Sequence, residues 1–60
     1  MIDLNYLYNG KRAVLKRYPY AQIEAKMLQE LSAFINVPKV LKVDTNELII
    51  EFIEDNTPFD

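Results

Sequence analysis

Asn9 and Gly10 form a dipeptide between two strand-like runs, "LNYLY" at residues 4–8 and "KRAVLKRY" at residues 11–18. A two-residue Asn-Gly loop is a strong hairpin signal, because a type I′ turn needs positive φ at both of its central residues. The sequence therefore predicts an antiparallel hairpin. Side-chain alternation along its second strand places Arg12, Val14, Lys16 and Tyr18 on one face and Ala13, Leu15 and Arg17 on the other.

A single helix is predicted after the hairpin. Pro19 ends the second strand, and residues 20–35 repeat their apolar side chains at helical spacing. Glu24 precedes Leu28 by four residues, which places it at the edge of the apolar stripe. The stripe, which we expect to pack on the sheet, consists of Ile23, Met27, Leu31 and Phe34, widened by Leu28 and Ile35.

Two further strands complete the expected fold. Pro38 prevents the helix from continuing, and residues 39–43 and 47–53 have strand-like sequences on either side of a turn at 44–46. The chain is therefore expected to form one α+β domain, residues 1–60. Its element order would be β-β-α-β-β, with the helix packed on one face of a small antiparallel sheet.

Composition limits both the stability and the chemistry of this domain. A core of this size supplies at most roughly 3–5 kcal/mol without cross-links. The chain contains no cysteine and no histidine, and Gly10 is its only glycine. Disulfides, the usual zinc sites, cysteine–histidine and serine–histidine catalysis and glycine-rich phosphate loops are thereby excluded. We predict no metal site.

Charge and hydropathy indicate which partners and compartments to expect. Seven basic and nine acidic residues give a net charge of −2, so there is no long-range attraction for nucleic acid or for an anionic membrane. The longest uncharged apolar run, residues 48–50, is far shorter than the roughly 20 residues that span a bilayer. Asp3 stands where a signal peptide would carry positive charge. We therefore expect a cytoplasmic protein, with neither nucleic acid nor membrane as a partner.

Lys16 and Glu24 are the most informative pair of residues for function. Lys16 lies on the predicted strand face that also carries Val14, and Glu24 lies on the helix that follows. In polyphosphate chemistry a strand lysine contacts phosphate oxygens and a helix glutamate holds that lysine extended. The competing interpretation is a semi-exposed ion pair without a ligand, worth about 0–1 kcal/mol. Both interpretations are compatible with the sequence.

Four successive segments, "RAVLKRY", "IEAKMLQEL", "NVPKVLKVD" and "ELIIEFIED", resemble the N-terminal lobe of the protein-kinase-like superfamily. The likeness is to its small-molecule branch, which includes aminoglycoside, choline and fructosamine kinases. This resemblance implies ATP as the ligand. By the same resemblance Lys16 would bind phosphate with Glu24 as its helix partner, Val14 would lie over the adenine, Ile50 would lie at the back of the pocket, and Glu51 to Ile53 would form the hinge that bonds adenine.

The resemblance also implies that the chain is not catalytic by itself. In such kinases the catalytic base and both magnesium ligands lie in a second lobe, and the first strand and phosphate-covering loop would precede Met1. We therefore expect a truncated or pseudo-kinase module that retains weak nucleotide affinity. It would work as a homodimer or with a second polypeptide.

Other functions remain open. A small protein-interaction or regulatory domain without a nucleotide role is the main alternative, because the edges of a four-stranded sheet invite strand addition. Nucleic-acid binding would use hairpin tyrosines beside basic residues, although tyrosine is favoured in strands for structural reasons. The interface residues of the first alternative would be Phe52, Ile53 and Phe59, and a hydrolytic carboxylate pair would come from Glu47, Glu51, Glu54 and Asp55.

Overall fold

The computed structural model describes residues 1–53, which form a four-stranded antiparallel sheet and one helix. The strand order across the sheet is β1-β2-β4-β3. The α+β class and the packing of a single helix on an antiparallel sheet agree with the prediction. The elements in chain order are β1 (Ile2–Tyr8), β2 (Lys11–Arg17), α1 (Ala21–Leu31), β3 (Val40–Val43) and β4 (Glu47–Glu51).

The hairpin between β1 and β2 is confirmed. Asn9 has φ 52° and Gly10 has φ 79°, so both turn residues adopt the left-handed conformation that the Asn-Gly dipeptide predicts. Strand β1 begins at Ile2, two residues before the predicted start. The hydrogen bonding between the two strands extends to Met1, because the Arg17 amide donates to the Met1 carbonyl at 2.9 Å.

Each face of the sheet carries a cluster of buried apolar side chains. The alternation predicted for β2 is confirmed, since its odd and even residues belong to different clusters. On the helix side the buried residues are Val14, Ala21, Ala25, Leu48 and Ile50, with Tyr18, Leu28, Val40 and Phe52 packed against them. On the opposite side Ala13, Leu15 and Ile49 are buried, and Tyr6, Tyr8 and Leu41 pack against them.

Helix α1 packs over β3 and β4 through a different face from the one predicted. Its buried residues are Ala21 and Ala25, and Leu28 is half-buried beside them. The predicted stripe was therefore wrong except for Leu28. Alanine has no side chain beyond Cβ, so this face lets the helix approach the sheet closely. The residues expected to be buried are exposed instead: Ile23, Met27, Leu31, Phe34 and Ile35.

The remaining element boundaries differ from the prediction by a few residues. Helix α1 ends at Leu31, although the Ile35 amide still donates to the Leu31 carbonyl at 3.0 Å in the turn that follows. Strand β4 ends at Glu51 and not at residue 53. The turn before β4 forms as predicted, with the Asp44 amide donating to the Glu47 carbonyl at 2.7 Å. The predictions for Glu54, Asp55 and Phe59 lie outside the described residues.

Replacement of Gly10 tests the turn. Gly10→Ala should lower the free energy of unfolding by about 1–2 kcal/mol, because an L residue in the left-handed region costs about that much. The loss would come from backbone strain and not from a steric clash, since a Cβ at Gly10 meets no atom within 4 Å. Asn9→Gly is the control, because glycine adopts the φ of 52° at this position without penalty. Urea unfolding followed by circular dichroism measures the difference, and equal midpoints for Gly10→Ala and wild type would contradict this turn geometry.

Candidate functional site

Lys16 and Glu24 form an ion pair across the junction of β2 and α1. The Lys16 Nζ donates to the Glu24 Oε2 at 2.7 Å, and the two side chains are 25% and 21% exposed. Lys16 lies on the helix side of β2, as the alternation predicts, and Glu24 lies in the first turn of α1. The contact expected from the sequence is therefore present, whereas a ligand for it stays a prediction.

Tyr18 belongs to the same site, which the sequence analysis missed. Its hydroxyl donates to the second carboxylate oxygen of Glu24, Oε1. Burial raises the pKa of Tyr18 to about 12, and the hydrogen bond to Glu24 and the charge of Glu24 act in the same direction. The ring of Tyr18 packs edge-on against Tyr20, with centroids 6.4 Å apart. The sequence feature that could have indicated this role is the position of Tyr18, two residues after Lys16 on the same strand face.

The carboxylate of Glu24 is held ionised by its two partners. Burial alone would raise its pKa, but the hydrogen bonds from Lys16 and Tyr18 and the charge of Lys16 outweigh burial, so the pKa lies below its usual value of 4.5. A carboxylate in this state does not act as an acid at neutral pH. It serves instead to fix the direction of the Lys16 ammonium.

A shallow depression of about 310 Å³ opens beside this ion pair. Arg17 lies in its wall, and the Arg17 Nε donates to the Glu47 Oε2 at 3.0 Å. The depression is wide enough for a group of the size of a phosphate. Its lining residues are Met1, Ile2, Lys16, Arg17, Tyr18 and Glu24.

Val14 and Ile50 are neighbours, but they do not form an open pocket. They are Cα partners across β2 and β4. Their exposed fractions are 9% and 6%, because both side chains lie in the core under α1. In the described residues they act as core residues, so the adenine contacts implied by the resemblance are not available at these two positions in this conformation.

The predicted hinge lies away from the ion pair. Glu51 is opposite Ala13, whereas Lys16 is opposite Leu48, so Glu51 lies about 10 Å further along β4. The Glu51 Oε1 accepts a hydrogen bond from the Lys39 amide at 3.0 Å. Ile53 is 51% exposed. The structure therefore brings Lys16 and Glu24 together, but it does not place the hinge residues beside them.

The groups behind the other candidate functions are dispersed. Tyr6 and Tyr8 pack on the sheet face opposite the helix, whereas Tyr18 and Tyr20 lie on the helix side, so the four rings form no common stacking surface. Phe52 is half-buried, and the Arg12 guanidinium lies 3.8 Å from its ring centroid. Within residues 1–53 no group of three or more acidic side chains is placed to hold a metal ion.

Comparison of the chain with protein-family models, with curated proteins and with solved structures finds no match. Helix α1, the one helix in the described part of the chain, does not have the length and apolar character needed to cross a membrane.

Acid unfolding tests the environment of Glu24. Because its pKa is lower in the folded state, its ionised form stabilises the fold above about pH 4.5, and this contribution is lost as the pH falls through the folded-state pKa. We expect the free energy of unfolding of Glu24→Gln to depend less steeply on pH below about 4.5 than that of wild type. The matched control is Glu30→Gln on the exposed side of α1, with all variants measured at about 1 µM protein so that association does not contribute. Urea unfolding at a series of pH values measures the slopes, and identical slopes for wild type and Glu24→Gln would contradict the pairing.

Alkaline titration tests Tyr18. We expect its hydroxyl to ionise near pH 12, and Glu24→Gln should bring the transition closer to the ordinary value of 10.0 because the hydrogen bond and the negative charge are removed. Ring-carbon NMR shifts resolve the four tyrosines, and Tyr18→Phe assigns the transition. A wild-type Tyr18 that titrates near 10.0 while the protein is folded would argue against this hydrogen bond.

Proposed function

We propose that this chain is a nucleotide-binding module of the kinase N-lobe type, which holds the phosphate groups of a nucleotide such as ATP at Lys16. In this proposal it is a truncated or pseudo-kinase module that works with a second copy or another polypeptide. The observation that supports the proposal is the ion pair between Lys16 Nζ and Glu24 Oε2 at 2.7 Å. The proposal concerns binding and does not include phosphate transfer by the chain alone.

The ion pair prepares Lys16 to bind an anion. A lysine side chain loses about 1.5–2 kcal/mol of conformational entropy when it is fixed in one orientation. The hydrogen bond to Glu24 holds the Lys16 ammonium in place before any ligand arrives, and the hydrogen bond from Tyr18 restricts rotation of the Glu24 carboxylate. An ammonium group has three N–H donors, of which the bond to Glu24 uses one. The Lys16 side chain is 25% exposed and lines the adjoining depression, from which phosphate oxygens would approach it.

The same geometry limits the affinity and the selectivity of the site. Val14 and Ile50 are covered by α1, and Glu51 lies about 10 Å along the sheet from Lys16. The adenine therefore contributes little to binding by the single chain. We expect dissociation constants of the order of 1 mM, with most of the affinity arising from the phosphates.

A ligand titration tests this proposal. Magnesium-ATP, magnesium-tripolyphosphate and adenosine are added separately to isotope-labelled protein, and the backbone amide shifts are followed. We expect ATP and tripolyphosphate to shift amides near Lys16, Tyr18 and Glu24 at millimolar concentration, and adenosine to leave them unchanged. Lys16→Met should abolish these shifts. Its matched control is Lys42→Met on β3, which removes an exposed lysine and should retain them.

Three results would count against phosphate binding at Lys16. The first is the absence of shifts at about 10 mM ATP, which would correspond to a binding free energy too weak to matter. The second is an equal loss of shifts in Lys16→Met and Lys42→Met, which would indicate non-specific charge attraction. The third is a set of ATP-induced shifts at residues 50–53 that tripolyphosphate does not reproduce, because the adenine base and not the phosphates would then account for the binding.

A protein-interaction domain without a nucleotide role is the second candidate. It is favoured by the large apolar side chains that α1 exposes, since contiguous apolar patches on monomers usually mark interaction sites. Strands β1 and β3 are the outer strands of the sheet and offer edges as well. Self-association without any response to ATP or tripolyphosphate would favour this second candidate.

A further inference from the structure

A stripe of apolar side chains is exposed along the whole length of α1 and the turn after it. It consists of Tyr20 and the residues at positions 23, 27, 31 and 34, and we call it the outer stripe. Together these side chains expose on the order of 600 Å², a large patch for a monomer. Their exposed fractions are 63% for Tyr20, 66% for Ile23, 52% for Met27, 37% for Leu31 and 85% for Phe34.

The outer stripe faces away from the sheet. Helical geometry places its members within α1, at positions 23, 27 and 31, about 140° around the axis from the face of Ala21 and Ala25, which packs on the sheet. Glu24 lies between these two faces and is turned toward Lys16. A partner can therefore reach the outer stripe without displacing the packing of the helix or the ion pair.

The outer stripe is symmetric about Met27. Its members are residues 20, 23, 27, 31 and 34, so the spacings of three and four residues on one side of Met27 are repeated in reverse on the other. In an antiparallel pair of identical helices that cross at Met27, Ile23 would meet Leu31 of the second copy. Tyr20 would likewise meet Phe34 of the second copy. A two-fold interface requires this kind of self-complementarity.

The charges beside the outer stripe fit the same arrangement. Glu30 borders the stripe on the side away from the sheet, with Lys26 one turn earlier, and both residues are exposed. In an antiparallel pair the same flanks of the two helices face each other, so Lys26 of each copy lies near Glu30 of the other. Such symmetric ion pairs determine orientation more than affinity.

We infer that a second copy of this chain covers the outer stripe through an antiparallel contact between the two α1 helices, centred on Met27. The inference rests on one part of the proposed function, the association with another chain, and it does not require nucleotide binding. Two outer stripes can together bury at most on the order of 1,200 Å², which is the lower limit for a specific interface. The dimer is therefore a reversible one, with a dissociation constant in the micromolar range.

Sedimentation equilibrium over a range from about 10 µM to about 1 mM tests this dimer. Wild type should change from monomer to dimer within this range. Ile23→Glu should weaken association at least tenfold, because it places a charge in the apolar contact. The matched control is Leu7→Glu on β1, since Leu7 is 67% exposed and Ile23 is 66% exposed. This control should associate like wild type.

Exchange of the charges at positions 26 and 30 tests the antiparallel orientation of the two helices. It also tests the dimer if Ile23→Glu does not fold. Lys26→Glu should weaken association, because each copy would then bring two acidic residues to the same flank. Lys26→Glu combined with Glu30→Lys should restore it. Circular dichroism shows whether each variant is folded. Failure of the double variant to recover association would overturn the antiparallel arrangement.

Cross-linking gives a second, independent measurement. The chain contains no cysteine, so a single introduced thiol can react only with its own counterpart in another copy. Met27→Cys places this thiol on the two-fold axis, and oxidation should give a disulfide-linked dimer. Gln22→Cys, on another side of α1, should cross-link at least tenfold more slowly.

Three outcomes would overturn the inferred dimer. Wild type could remain monomeric up to about 1 mM, or Leu7→Glu could weaken association as much as Ile23→Glu does. The third outcome is an equal rate of cross-linking through cysteines at positions 22 and 27. The nucleotide titration is independent of all three. Dimer formation without any response to ATP would refute the nucleotide site alone, and a response to ATP by a strictly monomeric protein would refute the dimer alone.

Discussion

Ala21 and Ala25 set the distance between α1 and the sheet, and most other features of the structure follow from that distance. Because neither residue has a side chain beyond Cβ, the helix lies close to β3 and β4 and leaves Leu48 fully buried. At this distance a glutamate in the first helical turn reaches a lysine on β2 at 2.7 Å. The ion pair is thus a product of close helix packing and not an isolated surface contact.

The same packing explains why the chain has a large apolar surface. A helix that uses its alanine face against the sheet must turn its bulky residues elsewhere, and the outer stripe is the result. A sixty-residue domain buries little surface by itself. In the inferred dimer, association through the outer stripe would stabilise the fold by an amount that grows with the logarithm of protein concentration. Nucleotide binding and association would therefore use neighbouring but separate sides of α1.

Sequence rules predicted the features that depend on local geometry. The Asn-Gly turn, the alternation along β2 and the contact of Lys16 with Glu24 all follow from spacing over a few residues. The helix face was predicted wrongly because hydrophobicity favours Ile23 and Met27 over Ala21 and Ala25, whereas close packing favours the smaller side chains. The resemblance implied an adenine pocket at Val14 and Ile50, but no sequence rule shows that α1 covers them. The ligand of Lys16 stays a prediction.

The apolar cluster on the sheet face opposite α1 has a consequence for the motions of the molecule. No helix packs on that face within residues 1–53, and the side chains that cover Leu15 and Ile49 include Tyr6 and Tyr8 of β1. Edge strands usually open first, and at little cost in free energy. Here, opening of β1 would expose to water one of the two buried clusters, which holds three of the eight buried core residues. The edge strand is therefore expected to exchange its amide hydrogens together with the centre of the sheet, and the domain to unfold as one cooperative unit.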